Sequence, residues 1–127
     1  MKKETLNTPV APAAIGPYNQ AVKIDKLLFV SGQIPLAADT MEIVDSGIED
    51  ETHQVLANIG AILRHAGYDF KDVVKTSIFL NNMDDFATVN EVYAQYFTED
   101  QPARECVEVA RLPRNVNVEI SVIAWKA

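Results

Sequence analysis

The chain is short of the residues that build most metal and redox sites. Cys106 is its only cysteine, and His53 and His65 are its only histidines. A single thiol forms neither an internal disulfide nor a multi-cysteine zinc site, and a reducing cytosol is the simplest setting for it. The two histidines stand too far apart for chelation across one helical turn. With neither HExxH nor CxxC beside them, no metal is expected.

Basic charge is also scarce, with 11 lysines and arginines against 18 acidic residues and a net charge of −7. That balance, without a basic stripe, counts against a nucleic-acid backbone or an anionic membrane surface as partner and leaves small solutes or proteins. Long apolar runs are missing too. Val55 to Leu63 is the richest, yet Asn58 and Gly60 interrupt it, and a membrane helix needs about 20 residues. Glu4-Thr5-Leu6-Asn7 stands where the apolar core of an export signal would begin. The expectation is a soluble, cytoplasmic protein. No glycine-rich phosphate loop, Walker signature or GxSxG elbow occurs, and no cofactor is expected.

What remains is 127 residues, a length that suits one domain over 1–127 with a single core. Thr8 to Pro17 holds three prolines and reads as an ordered lead-in rather than a strand. Gln20 to Ile24 and Leu27 to Ser31 flank Asp25-Lys26 as a hairpin, and a polar loop follows from Pro35 to Gly47. Glu49 to Ala66 is predicted helical: acidic residues crowd its first turn, and Val55, Leu56, Ile59, Ile62, Leu63 and Ala66 recur at helical spacing before Gly67. Asp72 to Leu80 reads as a buried strand and Asp84 to Phe97 as a second helix, with Phe86, Val89, Tyr93, Tyr96 and Phe97 on its apolar stripe. The fold class is α+β, with helices on one face of a sheet. The uncovered face then predicts self-association.

Two further strand-like runs carry the reactive-looking groups. At period 2, Arg104 and Cys106 share one face of the first run, while Glu119 stands opposite Val116, Val118, Ile120, Val122 and Ala124 in the second. Arg104 offers a planar donor fork suited to a carboxylate, or else a surface or inter-subunit salt bridge. Glu119 is a candidate acid, base or water-positioning group, or simply a solvated glutamate. Cys106 reads as a packing or contact residue, since no histidine lies near it in sequence. Asn90 interrupts the apolar stripe of the second helix, where an amide invites a hydrogen-bonding role.

Ile15-Gly16-Pro17-Tyr18, Ser31-Gly32-Gln33-Ile34-Pro35, Phe86-Ala87-Thr88-Val89-Asn90, Pro102-Ala103-Arg104 and Glu108-Val109-Ala110-Arg111-Leu112-Pro113 occur in order along the chain. Together they resemble the RidA/YjgF family of reactive intermediate deaminases. The resemblance implies a chorismate-mutase-like fold and a homotrimer whose sheets form a central barrel, with clefts between subunits. It also implies hydrolysis of enamine and imine acids such as 2-aminoacrylate to 2-keto acids and ammonia, without metal or cofactor. In that reading Arg104 clamps the substrate carboxylate, Glu119 handles water or protons, and Tyr18, Ser31, Gly32, Asn90 and Cys106 line the same site. Gln101 stands where relatives often carry an aromatic, and Asn19 where a serine is common. A trimer that binds small carboxylates without turnover is the competing reading, and ribonuclease or chaperone activity fits the acidic charge poorly. Local pattern pairs the last two strands as a hairpin, whereas the resemblance inserts the last strand between two earlier ones.

Overall fold

The computed structural model describes residues 2–127. Six strands and two long helices follow one another as β1 (Glu4–Leu6), β2 (Ala21–Ile24), β3 (Leu27–Gln33), α1 (Ile48–His65), β4 (Val73–Leu80), α2 (Phe86–Tyr96), β5 (Ala103–Glu108) and β6 (Val118–Trp125). They form one mixed sheet in the order β1-β2-β3-β6-β4-β5. Only the β4–β5 pair is parallel.

The last strand does not fold back on β5. It lies antiparallel between β3 and β4, in the gap left by the α1 crossover. The reason is apolar content. Val118, Ile120, Val122 and Ala124 are all buried, and a strand with such a row gains most with a neighbour on each side and helices above it. On β5 only Cys106 is half-buried and the rest is exposed, which suits an edge.

Helix α1 forms much as its periodicity predicts. Glu49, Asp50 and Glu51 occupy its first turn, Arg64 and His65 its last, each sign matching the dipole at its end. Gly67 follows at φ +87°, a left-handed position where glycine costs least. Val55, Leu56, Ile59, Ile62 and Leu63 are buried against β3 and β6. On α2 the buried stripe includes Val92, which the sequence reading passed over. Asn82 caps a short 3-10 turn at Met83–Asp85 that leads into α2.

Strand β1 was not expected, because three residues containing a glutamate carry little β signal. It is held by pairing with β2. The proline-bearing lead-in after it makes no ladder and finds its donors elsewhere. The buried Gln20 amide donates to the carbonyls of Thr8, Ala11 and Pro12 at 3.1, 3.2 and 2.7 Å and accepts from the Thr8 N–H at 2.7 Å. One side chain thus replaces a strand partner for a segment whose prolines cannot donate.

Both helices lie on one face of the sheet. The other face carries Leu27, Phe29, Phe79, Val107, Ile123 and Trp125, with Phe29, Val107 and Trp125 each at least 40% exposed. A polar cluster interrupts it, in which Glu105 pairs with Lys75 at 3.1 Å and accepts from the Ser77 hydroxyl at 3.0 Å. Among the described residues, no helix is long and apolar enough to cross a membrane.

Candidate functional site

The residues singled out from sequence fall into two groups, and the sheet separates them. Strand register decides which face each side chain takes, since paired residues point the same way. Arg104 pairs with Thr76, and Thr76 with Val122, which places Arg104 on the helix-covered side. Glu119 pairs with Phe79, and Phe79 with Val107, which places Glu119 on the uncovered side. Within one chain the two groups expected to share a site therefore stand on opposite faces.

On the helix side, α2 presents Phe86, Asn90 and Tyr93 at i, i+4 and i+7, one stripe aimed at the β5 edge. Arg104 lies against it. Its Nη1 donates to Asn90 Oδ1 at 2.8 Å, so the misplaced amide of the apolar stripe has found its partner. The guanidinium carbon is 4.9 Å from the Tyr93 ring centroid and 5.6 Å from that of Phe86. Asn90, Tyr93, Ala94, Phe97, Gln101, Pro102 and Arg104 line a cleft of about 330 Å³ here. The Gln101 amide donates to the Phe97 carbonyl at 3.3 Å. Cys106 follows Arg104 on the same face, half-buried beside the core. Burial pushes its thiol above the usual range, and the Arg104 charge pulls it partly back.

On the other side Glu119 sits in a smaller cleft of about 100 Å³ with Tyr18, Gly32, Gln33, Ile34 and Pro113 among its walls. Burial lifts the Glu119 carboxyl above the ordinary glutamate range, since its charged form loses water there. The β3–β6 register shifts between Val30 and Gln33, and the irregularity brings the Gly32 backbone against the Glu119 carboxylate. Ser31 turns its hydroxyl to the Asn19 carbonyl at 2.6 Å and so ties the lead-in to β3. The Ile34–Leu36 wall is pinned from behind by buried Asn58 of α1, whose Nδ2 donates to the carbonyls of Ile34 and Leu36 at 3.3 and 3.0 Å.

Several of these contacts were not foreseen. Phe86 and Tyr93 were read as core stripe alone, although their spacing around Asn90 carried the signal. Asn58 stood out only as a break in an apolar run and Pro113 only as part of a motif, because their roles depend on segments distant in sequence. His53 has a structural partner in the Tyr96 hydroxyl, 2.8 Å from its Nδ1. Among the described residues, no group of three or more His, Cys, Asp or Glu side chains is arranged to hold a metal ion.

The family model described as Endoribonuclease L-PSP, the YjgF/RidA domain, matches residues 8–126. The chain belongs to the RidA/YjgF family. A RutC family protein of Pyrococcus horikoshii is 54% identical over 124 residues, covering 98% of each chain. The mouse 2-iminobutanoate/2-iminopropanoate deaminase is 48% identical over 122 residues, which are 96% of this chain and 90% of that one. Escherichia coli TdcF, solved with bound serine, superposes with a TM-score of 0.93 at 42% identity, covering 98% of this chain and 99% of that one. This RidA/YjgF chain thus shares its mixed α+β fold with a protein that holds a small amino acid.

Proposed function

We propose that the protein is a hydrolytic deaminase of small enamine and imine acids, such as 2-aminoacrylate and its imine tautomer, and that it works as a homotrimer. The observation that carries this reading is the separation of Arg104 from Glu119 by the sheet. Each chain offers two complementary half-sites, and an uncovered apolar face suits packing against another copy. The Arg104 cleft of one subunit meets the Glu119 cleft of its neighbour. Deaminase names among relatives at this level of identity support the chemistry.

The mechanism needs few groups. A guanidinium has five N–H donors, and Asn90 occupies one nitrogen of Arg104, which leaves the others to clamp the substrate carboxylate. The imine carbon is already electrophilic. Glu119 takes a proton from the attacking water as the C–O bond forms and passes it to the imine nitrogen, giving a carbinolamine. It then takes the carbinolamine hydroxyl proton and delivers it to nitrogen as the C=O bond forms and the C–N bond breaks, releasing ammonia and a 2-keto acid. Arg104 cannot serve as the acid, because its pKa is too high. Cys106, Tyr18, Ser31 and Gly32 shape the site. A raised thiol pKa leaves little thiolate at Cys106, in keeping with attack by water rather than sulfur.

A second reading, capture of a small amino or keto acid without turnover, draws on the serine held by TdcF. Measuring keto-acid release from freshly generated 2-aminoacrylate separates the two. The expected result is release well above the spontaneous rate. An assembled protein that binds pyruvate yet leaves that rate unchanged is a binding module.

A further inference from the structure

Arg104 is an exposed side chain on an edge strand, and an arginine in that setting samples many rotamers unless its head group is held. Asn90 Oδ1 holds one nitrogen. A single hydrogen bond fixes a point of the guanidinium, not its plane.

The plane has a different support. Tyr93 lies under the guanidinium at 4.9 Å and is itself immobilised in three ways. It is 5% exposed. Its hydroxyl and Thr76 Oγ1 are 2.9 Å apart, and Thr76 is fully buried on the strand beside Arg104, as its register partner. Its ring stacks on Phe97 at 4.3 Å with 25° between the planes. A fixed ring therefore faces a mobile cation. Phe86 is farther away, at 5.6 Å, and only partly buried.

We propose that Tyr93 is the positioning residue for Arg104: its π face holds the guanidinium plane so that the N–H edge not used by Asn90 is turned toward the substrate carboxylate. The inference rests on the reading of Arg104 as a carboxylate clamp. Ring and hydroxyl have separate tasks, the ring facing the cation and the hydroxyl anchoring the ring to Thr76. Electron density on the ring should therefore tune ligand affinity, while loss of the hydroxyl should act mainly on stability.

The test uses the assembled protein and pyruvate as probe, with calorimetric affinity and the KM and kcat for 2-aminoacrylate as readouts. Tyr93→Phe, which keeps the π face and loses its anchor, should weaken pyruvate binding less than Tyr93→Leu does while lowering the melting temperature. Tyr93→Leu should weaken it about 2- to 30-fold, with the change in KM rather than kcat. A third arm places phenylalanine with progressively fluorinated rings at position 93, which drains the negative π face at nearly constant shape. Affinity should fall step by step with fluorination, a response that a packing role would not produce. A flat response across the fluorinated series overturns the proposal, and that series decides alone if Tyr93→Leu fails to fold. Arg104→Ala is the control for the clamp itself. If it leaves pyruvate affinity unchanged, the clamp reading fails and the inference with it. If it abolishes binding while the fluorinated series stays flat, only the role of Tyr93 fails.

Discussion

Glu119 lies so close to the backbone of Gly32 that a β-carbon there would stand 2.5 Å from Oε2 and 2.9 Å from Cδ of the carboxylate. Such a separation is far inside van der Waals contact, and the flexible end of the glutamate would have to move. Gly32→Ala should therefore displace the carboxylate and lower kcat about 100-fold, the scale of a misplacement near 1 Å. Pyruvate binding through Arg104 should change little. A kinetic comparison with the wild type checks this, and full activity in Gly32→Ala would remove the need for bare backbone at that point.

Arg104→Lys and Arg104→Ala should not behave alike. Lysine keeps the charge and loses the planar fork, while alanine loses both. Charge-assisted hydrogen bonds contribute about 1.5–3 kcal/mol each, so loss of two lowers kcat/KM by about two to four orders of magnitude in Arg104→Ala. Arg104→Lys should fall between that variant and wild type. Deamination at the wild-type rate by assembled Arg104→Ala would sink the clamp.

Glu119 ties pH to stability in a definite direction. Burial raises its folded-state pKa, so the folded chain holds the proton more tightly than the unfolded one. Below the unfolded value, about 4.3, both states are protonated and this contribution is complete. It is lost as pH rises through the raised folded value, where an ionised carboxylate is kept partly out of water. Glu119→Gln should gain thermal stability relative to wild type across that window and hold a constant advantage above it. Its kcat should fall about 100- to 10,000-fold while pyruvate still binds. Melting curves between pH 4 and pH 8 in which the two proteins keep a fixed difference would mean that Glu119 is fully solvated.

A site shared between copies makes a prediction that a site within one chain cannot. Arg104→Ala and Glu119→Gln should each be nearly inactive alone. Unfolded, mixed in equal amounts and refolded together, they should recover activity, because about one quarter of the interfaces in randomly assembled closed rings join an intact Arg104 to an intact Glu119. Light scattering on the mixture should give the mass of a trimer. No recovery from a correctly assembled mixture would mean that Arg104 and Glu119 do not meet across an interface between copies.

Much of this architecture was legible from periodicity. The first helix declared itself through acidic residues at its start, apolar spacing and Gly67 at its end, and the hairpin of β2 and β3 through two apolar runs around Asp25-Lys26. What local pattern could not convey was where β6 belongs. Alternation shows that Val118, Ile120, Val122 and Ala124 share a face, but the choice between pairing with β5 and filling the gap beside β3 depends on burial across the whole sheet. The candidate site was legible only as a set of separate residues. Arg104, Asn90 and Glu119 stood out as polar groups in apolar runs, and each now has a defined environment. Their distribution over two faces was hidden, because a face has meaning only once strands are paired. The close approach of Gly32 to Glu119 was hidden for the same reason, since it arises at a register shift between β3 and β6.

The central position of β6 also bears on how the chain is made. Every other strand leaves the ribosome before it, yet the sheet stays in two pieces, β1-β2-β3 and β4-β5, until Val118–Trp125 arrives to bridge them. A nascent chain that has reached residue 117 exposes two open strand edges and an apolar face on each piece, the surfaces most prone to pairing with another chain. Completion of the sheet therefore waits for β6, and a chain cut shortly before Val118 would be a sticky fragment rather than a smaller folded one.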